Sequence, residues 1–130
     1  MRRCLELAEQ ARAQGDAAVG AVIVRGGEII AEGVEGVRAG RDVTAHAELI
    51  AIRYACERLG TTHLSDCVLC TNVEPCWMCS YLIREARIPA VVIGVPVDDI
   101  GGLTSRYPLL SDDGIEGWGP PPAISWVDLR

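Results

Sequence analysis

The stretch Cys67–Val95, CVLCTNVEPCWMCSYLIREARIPAVVIGV, decides the fold of this chain. Cys67–Thr71 and Ala90–Val95 are short apolar runs of the kind that form buried strands. Pro75 suits the first position of a helix, which we expect to continue from residue 76 to about residue 86. A strand, a helix and a strand in this order predict two parallel strands of one sheet, joined by a right-handed crossover.

The residues on either side extend this unit into a larger α/β fold. Gly26 and Gly27 separate two apolar runs and predict a tight hairpin turn. The further predicted elements are a helix at 2–13, hairpin strands at 20–25 and 28–33, a helix at 45–59 and a short final strand at 123–128. This order of elements predicts a mixed sheet sandwiched between helices, which makes three α-β-α layers.

The composition indicates one globular domain. The chain has 130 residues, of which 49% are hydrophobic, and we expect a single domain over residues 1–130. No apolar run reaches the roughly 18–20 residues that span a bilayer, and the N-terminus lacks the apolar stretch of a signal peptide. We therefore expect a cytoplasmic protein without a membrane contact. The six cysteines are expected to be reduced, so paired spacing points to metal or redox chemistry.

The charge of the chain bears on its substrate. Acidic residues number 18 and basic residues 12, which gives a net charge of -6 and a pI near 4.8. Proteins that bind polynucleotides usually carry a basic patch, because phosphate contacts supply most of their affinity. Arg38 and Arg41 lie near the candidate site, and Arg84 and Arg87 lie on a predicted helix. These few cations favour a small-molecule substrate over a nucleic acid.

Two short motifs carry the chemistry. His46-Ala47-Glu48 starts one predicted helix, and Pro75-Cys76-Trp77-Met78-Cys79 starts another, thirty residues further on. Either motif alone is ambiguous, since a Cys-x-x-Cys pair is often two core cysteines or a redox dithiol. Together they match the zinc deaminase pattern His-x-Glu followed by Pro-Cys-x-x-Cys. His46, Cys76 and Cys79 offer three zinc ligands and leave the fourth position open for water, as catalytic zinc sites require.

Glu48 is the candidate proton carrier of this site. Thr44 is a natural N-cap for the helix that follows, and a capping box would place its glutamate at position 47. That position is Ala47, so Glu48 is free for another role. A carboxylate near the metal but not bound to it can take a proton from water and later return it to the leaving amine.

These residues resemble the cytidine deaminase-like superfamily, in particular its bacterial guanine deaminases, tRNA adenosine deaminases and fungal-type cytosine deaminases. The resemblance also covers Gly20–Val24, Ala31–Gly33 and Asp42–Glu48. It implies a five-stranded mixed sheet between helices, with zinc bound by the His and the two Cys of the motifs. It also implies that Glu48 is the proton shuttle and that the protein is a homodimer or a larger assembly.

The chain departs from this family at the residue expected to contact the ring. Counting back from His46 without a gap, Glu35 occupies the position of a ring-binding Asn. An ionised carboxylate only accepts hydrogen bonds, whereas an amide also donates them, so Glu35 should favour a ring edge with N–H donors. A solvated loop glutamate is the alternative. Further candidate substrate contacts are Ala47, Trp77, Asp98 and Asp99, against which we weigh core packing for Trp77 and loop capping for the two aspartates.

The sequence thus predicts a hydrolytic deaminase that releases ammonia from a free nucleobase or related amino-heterocycle. The candidates are guanine, cytosine, substituted pyrimidines, triazines and pterins. A tRNA-specific adenosine deaminase is one alternative, although we would expect it to have a basic face and an Asn at position 35. A non-catalytic zinc-stabilised or thiol-redox protein is another, although neither role needs Glu48 at its spacing from His46.

Overall fold

The computed structural model describes residues 1–129, and Arg130, the last residue of the predicted domain, lies outside the described residues. The described part of the chain forms three helices and five strands. Their bounds are α1 Arg2–Ala13, β1 Gly20–Arg25, β2 Glu28–Val34, α2 Ala47–Leu59, β3 Cys67–Val73, α3 Trp77–Glu85, β4 Ala90–Val95 and β5 Ala123–Trp126. None of the described helices is long and apolar enough to cross a bilayer.

The five strands form one mixed sheet in the order β2-β1-β3-β4-β5. Strand β1 lies between β2 and β3 and is antiparallel to both of them. Strands β3, β4 and β5 are parallel neighbours. The predicted five-stranded mixed sheet is confirmed, with parallel pairing between the two strands that flank α3.

Helices cover both faces of the sheet. Side chains of successive strand residues point to opposite faces, and the two faces of β1 have different partners. Ile23 belongs to the main core, which also includes Ile83 of α3 and the buried residues of α2. Val22 packs instead with Cys4 and Leu7 of α1. Helix α1 therefore covers one face and α2 and α3 the other, which confirms the three predicted layers.

Strand pairing explains where the observed bounds differ from the predicted ones. Helix α1 and strands β1 and β4 have the predicted bounds. Strand β3 continues two residues beyond the prediction because Val73 still pairs with Val95 of β4. Strand β5 ends two residues earlier because its last partner on β4 is Ile93, opposite Trp126.

The long connection between β4 and β5, residues 96–122, is irregular and is held by two arginines. The buried Arg84 donates hydrogen bonds to the carbonyl oxygens of Leu109 (3.0 Å) and Asp112 (2.9 Å). Arg87 donates to the carbonyl oxygen of Gly117 at 2.7 Å. Both guanidinium groups therefore contact the protein's own backbone.

Candidate active site

The three predicted zinc ligands meet at the starts of two helices. His46 is the N-cap residue of α2, Cys76 is the N-cap residue of α3, and Cys79 lies in the first turn of α3. The Nδ1 atom of His46 lies 3.5 Å from Sγ of Cys76 and 3.7 Å from Sγ of Cys79. All three donor atoms lie within 4.8 Å of one another. Sequence positions thirty residues apart thus converge on one point.

The spacing of these atoms fits a zinc ion. Zinc–sulfur bonds of 2.3 Å and zinc–nitrogen bonds of 2.0–2.1 Å at a tetrahedral angle would separate sulfur from nitrogen by about 3.6 Å. The two distances from His46 bracket that value. A set of one imidazole and two thiols is also the ligand chemistry that zinc prefers in proteins. The described residues therefore provide three ligands for zinc.

The electrostatics of the thiols favour metal binding. A hydrogen bond from Cys79 lowers the pKa of Cys76 to about 5, against the effect of burial, and His46 contributes in the same direction. That hydrogen bond and burial raise the pKa of Cys79. Cys76 is therefore the thiol that loses its proton more readily, and metal binding requires both thiols to be deprotonated.

A close contact between backbones sets the position of His46. Gly33 of β2 lies directly under the first turn of α2. A Cβ atom at Gly33 would come within 1.9 Å of the carbonyl oxygen of Ala47. The missing side chain lets α2 approach the sheet closely, so that His46 reaches the cysteines of α3.

Glu48 is buried beside the metal ligands. Its side chain is in the first turn of α2 and is only 4% exposed. Burial raises the pKa of Glu48 to about 8, and the negative charges of Cys76 and Glu35 act in the same direction. A carboxyl group that binds and releases a proton near neutral pH suits general acid–base chemistry.

Glu35 caps the helix that carries His46 and Glu48. Its Oε1 atom accepts a hydrogen bond from the backbone N–H of Ala47 at 2.9 Å. The prediction that Thr44 is the N-cap was wrong, because the Thr44 hydroxyl donates to Asp42 and the chain turns again before α2 begins. Burial raises the pKa of Glu35, although the bond from Ala47 opposes this effect.

A cavity of about 120 Å³ lies beside the candidate metal site. Its polar lining consists of Glu35, His46, Glu48, Glu74 and Cys76. Its apolar lining includes Val97 and Ile100, from the loop that follows β4. Sequence reasoning found four of the five polar residues but missed Glu74, although Glu74 directly precedes the Pro-Cys motif.

The remaining predicted substrate contacts lie elsewhere. Asp98 and Asp99 are exposed and are not among the residues that line the cavity, and the Asp99 carboxylate accepts a hydrogen bond from the N–H of Ile100. The indole N–H of Trp77 donates to Ser105, and its ring packs edge-on against Tyr107. In this structure Asp99 and Trp77 have local structural contacts, and substrate binding by the three side chains stays a prediction.

Comparison with known proteins agrees with this geometry. Residues 1–95 match the sequence model of the family described as the cytidine and deoxycytidylate deaminase zinc-binding region. The chain belongs to this deaminase family. The predicted zinc-binding deaminase of the cytidine deaminase-like superfamily is thereby confirmed, and the matched region includes all three ligands and Glu48.

Two curated relatives of this deaminase carry the names of enzymes that modify tRNA. A tRNA-specific adenosine deaminase of Aquifex aeolicus is 39% identical over 112 residues, which are 86% of this chain and 74% of that protein. Some relatives are much longer. The chain matches only 20% of the length of a tRNA(Ile)-lysidine synthase of Deinococcus radiodurans, at 42% identity over 121 residues.

Solved structures of the same fold come from two groups of deaminases. A structure from studies of A-to-I editing by tRNA:A34 deaminases superimposes with a TM-score of 0.87 at 32% identity, covering 98% of this chain and 95% of that one. The guanine deaminase of Bacillus subtilis superimposes with a TM-score of 0.70 at 46% identity, covering 73% of this chain and 61% of that one. The deaminase fold is therefore shared with enzymes of different substrates.

Proposed function

We propose that this deaminase removes an exocyclic amino group from a free nucleobase or a similar single amino-heterocycle and releases ammonia. The observation that carries the proposal is the acidic lining of the small cavity at the metal site. A cavity of about 120 Å³ is well below the roughly 300–1,000 Å³ of pockets for drug-sized ligands. It suits one ring, with the amino-bearing carbon directed at the metal site.

The protein's own residues have distinct parts in this reaction. His46, Cys76 and Cys79 would hold zinc, which would supply an activated water as the nucleophile at neutral pH. The carboxylate oxygens of Glu48 would pass one proton of that water to a ring nitrogen. They would then pass the second proton, from the hydroxyl group added to the ring carbon, to the departing amine. The buried position of Glu48 keeps this proton away from bulk solvent.

The lining of the cavity favours rings that carry N–H donors. Glu35 and Glu48 offer carboxyl oxygens there, and none of the described residues that line the cavity is a lysine or an arginine. One oxygen of Glu35 is held by Ala47, which leaves the second oxygen to accept from a ring N–H or a second amino group.

Deamination of adenosine in tRNA is the second candidate activity, because relatives with that name match most of this chain. The relative from Aquifex aeolicus covers most of this chain, and the tRNA:A34 deaminase structure superimposes over 98% of it. The charges of this chain count against a polynucleotide substrate. Arg3, Arg12 and Arg25 are paired with carboxylates, and Arg84 and Arg87 bind backbone carbonyl groups.

Ammonia release across a panel of substrates tests the proposal. The panel contains free bases, nucleosides, triazines, pterins and tRNA, and zinc is quantified in the same samples. We expect ammonia from one or more of the free rings and none from tRNA. Turnover of tRNA with none of the small rings would instead establish the second candidate.

Glu35→Gln is expected to change which rings are deaminated. The amide oxygen can still accept the Ala47 N–H, whereas the other oxygen is replaced by an NH2 donor. For a ring that presents an N–H to this position, kcat/KM should fall about 10- to 100-fold, since a buried donor loses its acceptor. Steady-state kinetics on rings with a donor or a bare acceptor at that edge measure the effect.

The exposed Glu28 provides the control for this change. Glu28→Gln removes the same charge from the protein but lies on the hairpin, so all substrates should keep their kcat/KM. An equal loss for both classes of ring in Glu35→Gln would mean that Glu35 supports the helix start only and does not contact the substrate.

The homodimer and the cytoplasmic location stay predictions, and both rest on the resemblance and the composition. Tyr54 of α2 and Tyr81 of α3 are exposed aromatic side chains that would suit an interface between two copies.

A further inference from the structure

Glu74 is a buried carboxylate beside the metal site to which the proposed reaction gives no part. It follows β3, is only 2% exposed and lies two residues before Cys76. Glu74 also lines the cavity. A buried carboxylate costs free energy unless its oxygens are satisfied, so its hydrogen-bond partners indicate its role.

Both oxygens of Glu74 are occupied by one loop. We call residues 96–104, which follow β4, the wall loop, because it carries the cavity-lining Val97 and Ile100. Oε1 accepts from the N–H of Val97 at 2.9 Å and from the hydroxyl of Thr104 at 2.6 Å. Oε2 accepts from the N–H groups of Leu103 and Thr104, both at 2.8 Å. Both ends of the loop are thus hydrogen-bonded to a single side chain.

The wall loop also packs against the turn that carries the predicted zinc ligand Cys76. Gly101 forms an antiparallel bridge with Cys76, and the N–H of Gly102 donates to the carbonyl oxygen of Pro75 at 2.8 Å. A Cβ atom at Gly101 would come within 2.0 Å of Oε2 of Glu74. Glu74 therefore directly precedes the metal-binding turn in the chain and is hydrogen-bonded to the wall loop that packs against this turn.

We infer that Glu74 is a positioning residue: it fixes the distance between the metal-binding turn and the wall loop, and so sets how tightly the substrate ring is held. This inference rests on the proposed function, since the wall loop matters only if a ring enters the cavity. With four donors on its two oxygens, Glu74 has no oxygen left for zinc or for carrying a proton. It acts through Val97 and Ile100.

Glu74→Gln is the variant that tests this role. Whichever way the amide is turned, its NH2 group faces at least one backbone N–H, so one end of the wall loop is released. We expect the zinc content to stay at the wild-type level. We expect KM to rise about tenfold, as for the loss of one buried hydrogen bond, with kcat within about threefold of the wild type because Glu48 and the ligands do not move.

Two further variants keep the test decisive if Glu74→Gln folds poorly. Thr104→Val removes the hydroxyl that donates to Oε1 and keeps the three backbone bonds, so the same changes should appear at a smaller size. Glu28→Gln on the exposed hairpin is the charge-matched control and should leave KM unchanged.

Hydrogen exchange gives a readout that does not depend on turnover. In Glu74→Gln the amides of Val97, Leu103 and Thr104 should exchange faster, whereas those of α2 should keep their protection. Unchanged exchange in the wall loop would overturn the inference, and so would faster exchange without any change in KM. If the wild type deaminates none of the small rings, the proposed function fails, and KM is measured with the tRNA substrate instead.

Discussion

Replacing Glu48 by alanine should leave the zinc content intact and reduce deamination by about 10²- to 10⁴-fold, the usual contribution of a general acid–base group. Glu48 is buried beside the ligands but is not part of the group of donor atoms that can hold a metal. Its loss therefore removes the proton carrier and not the metal. Zinc analysis and ammonia release on the same preparation measure the two effects separately.

Two companion variants make this experiment conclusive. Glu48→Gln has the same shape as the wild type and excludes loss of packing as the cause of a lower rate. Glu57→Ala changes an exposed glutamate of the same helix and should keep full activity. If Glu48→Ala or Glu48→Gln turned over substrate at nearly the wild-type rate, Glu48 would not be the proton shuttle.

Cys79→Ser should lose zinc, all measurable deamination and part of the stability of the protein. Cys79 is fully buried in the first turn of α3, with Sγ 3.7 Å from Nδ1 of His46. A serine hydroxyl is a much poorer zinc ligand than a thiolate, and metal binding contributes free energy to folding. Zinc quantification, activity and the thermal unfolding midpoint, each with and without a chelator, measure the three losses.

Cys56→Ser is the control for this change, because Cys56 is a half-buried cysteine of α2 outside the donor group. It should keep its zinc and its activity. A chelator should lower the unfolding midpoint of the wild type but leave that of Cys79→Ser unchanged. Full zinc occupancy in Cys79→Ser would contradict the assignment of Cys79 as a ligand.

Much of the fold could be predicted from local patterns. The bounds of α1, β1 and β4 agree with the prediction because local signals mark their ends. Gly15 follows α1, the Gly26–Gly27 turn follows β1, and Pro96 follows β4. Elements whose ends depend on a neighbouring strand were less accurate. Strand β3 extends to Val73 because β4 lies beside it to Val95, and no local pattern carries that information.

The capping of α2 shows why a local rule failed. Thr44 has the right residue type and position for an N-cap, yet its hydroxyl is used by Asp42. The first amide of α2 is instead satisfied by Glu35, twelve positions earlier in the chain. Asp98 and Asp99 show the same limit. They lie in the loop after β4, as predicted, but they are not among the residues that line the cavity.

The sequence by itself identified the four residues of the candidate site. His46, Glu48, Cys76 and Cys79 lie in two short motifs at helix starts, where spacing within one turn predicts which side chains share a face. Only the tertiary structure decided what surrounds them. The contacts of Glu35 with the start of α2 and of Glu74 with the wall loop join residues 12 to 30 positions apart, and such contacts form only when the sheet brings the elements together.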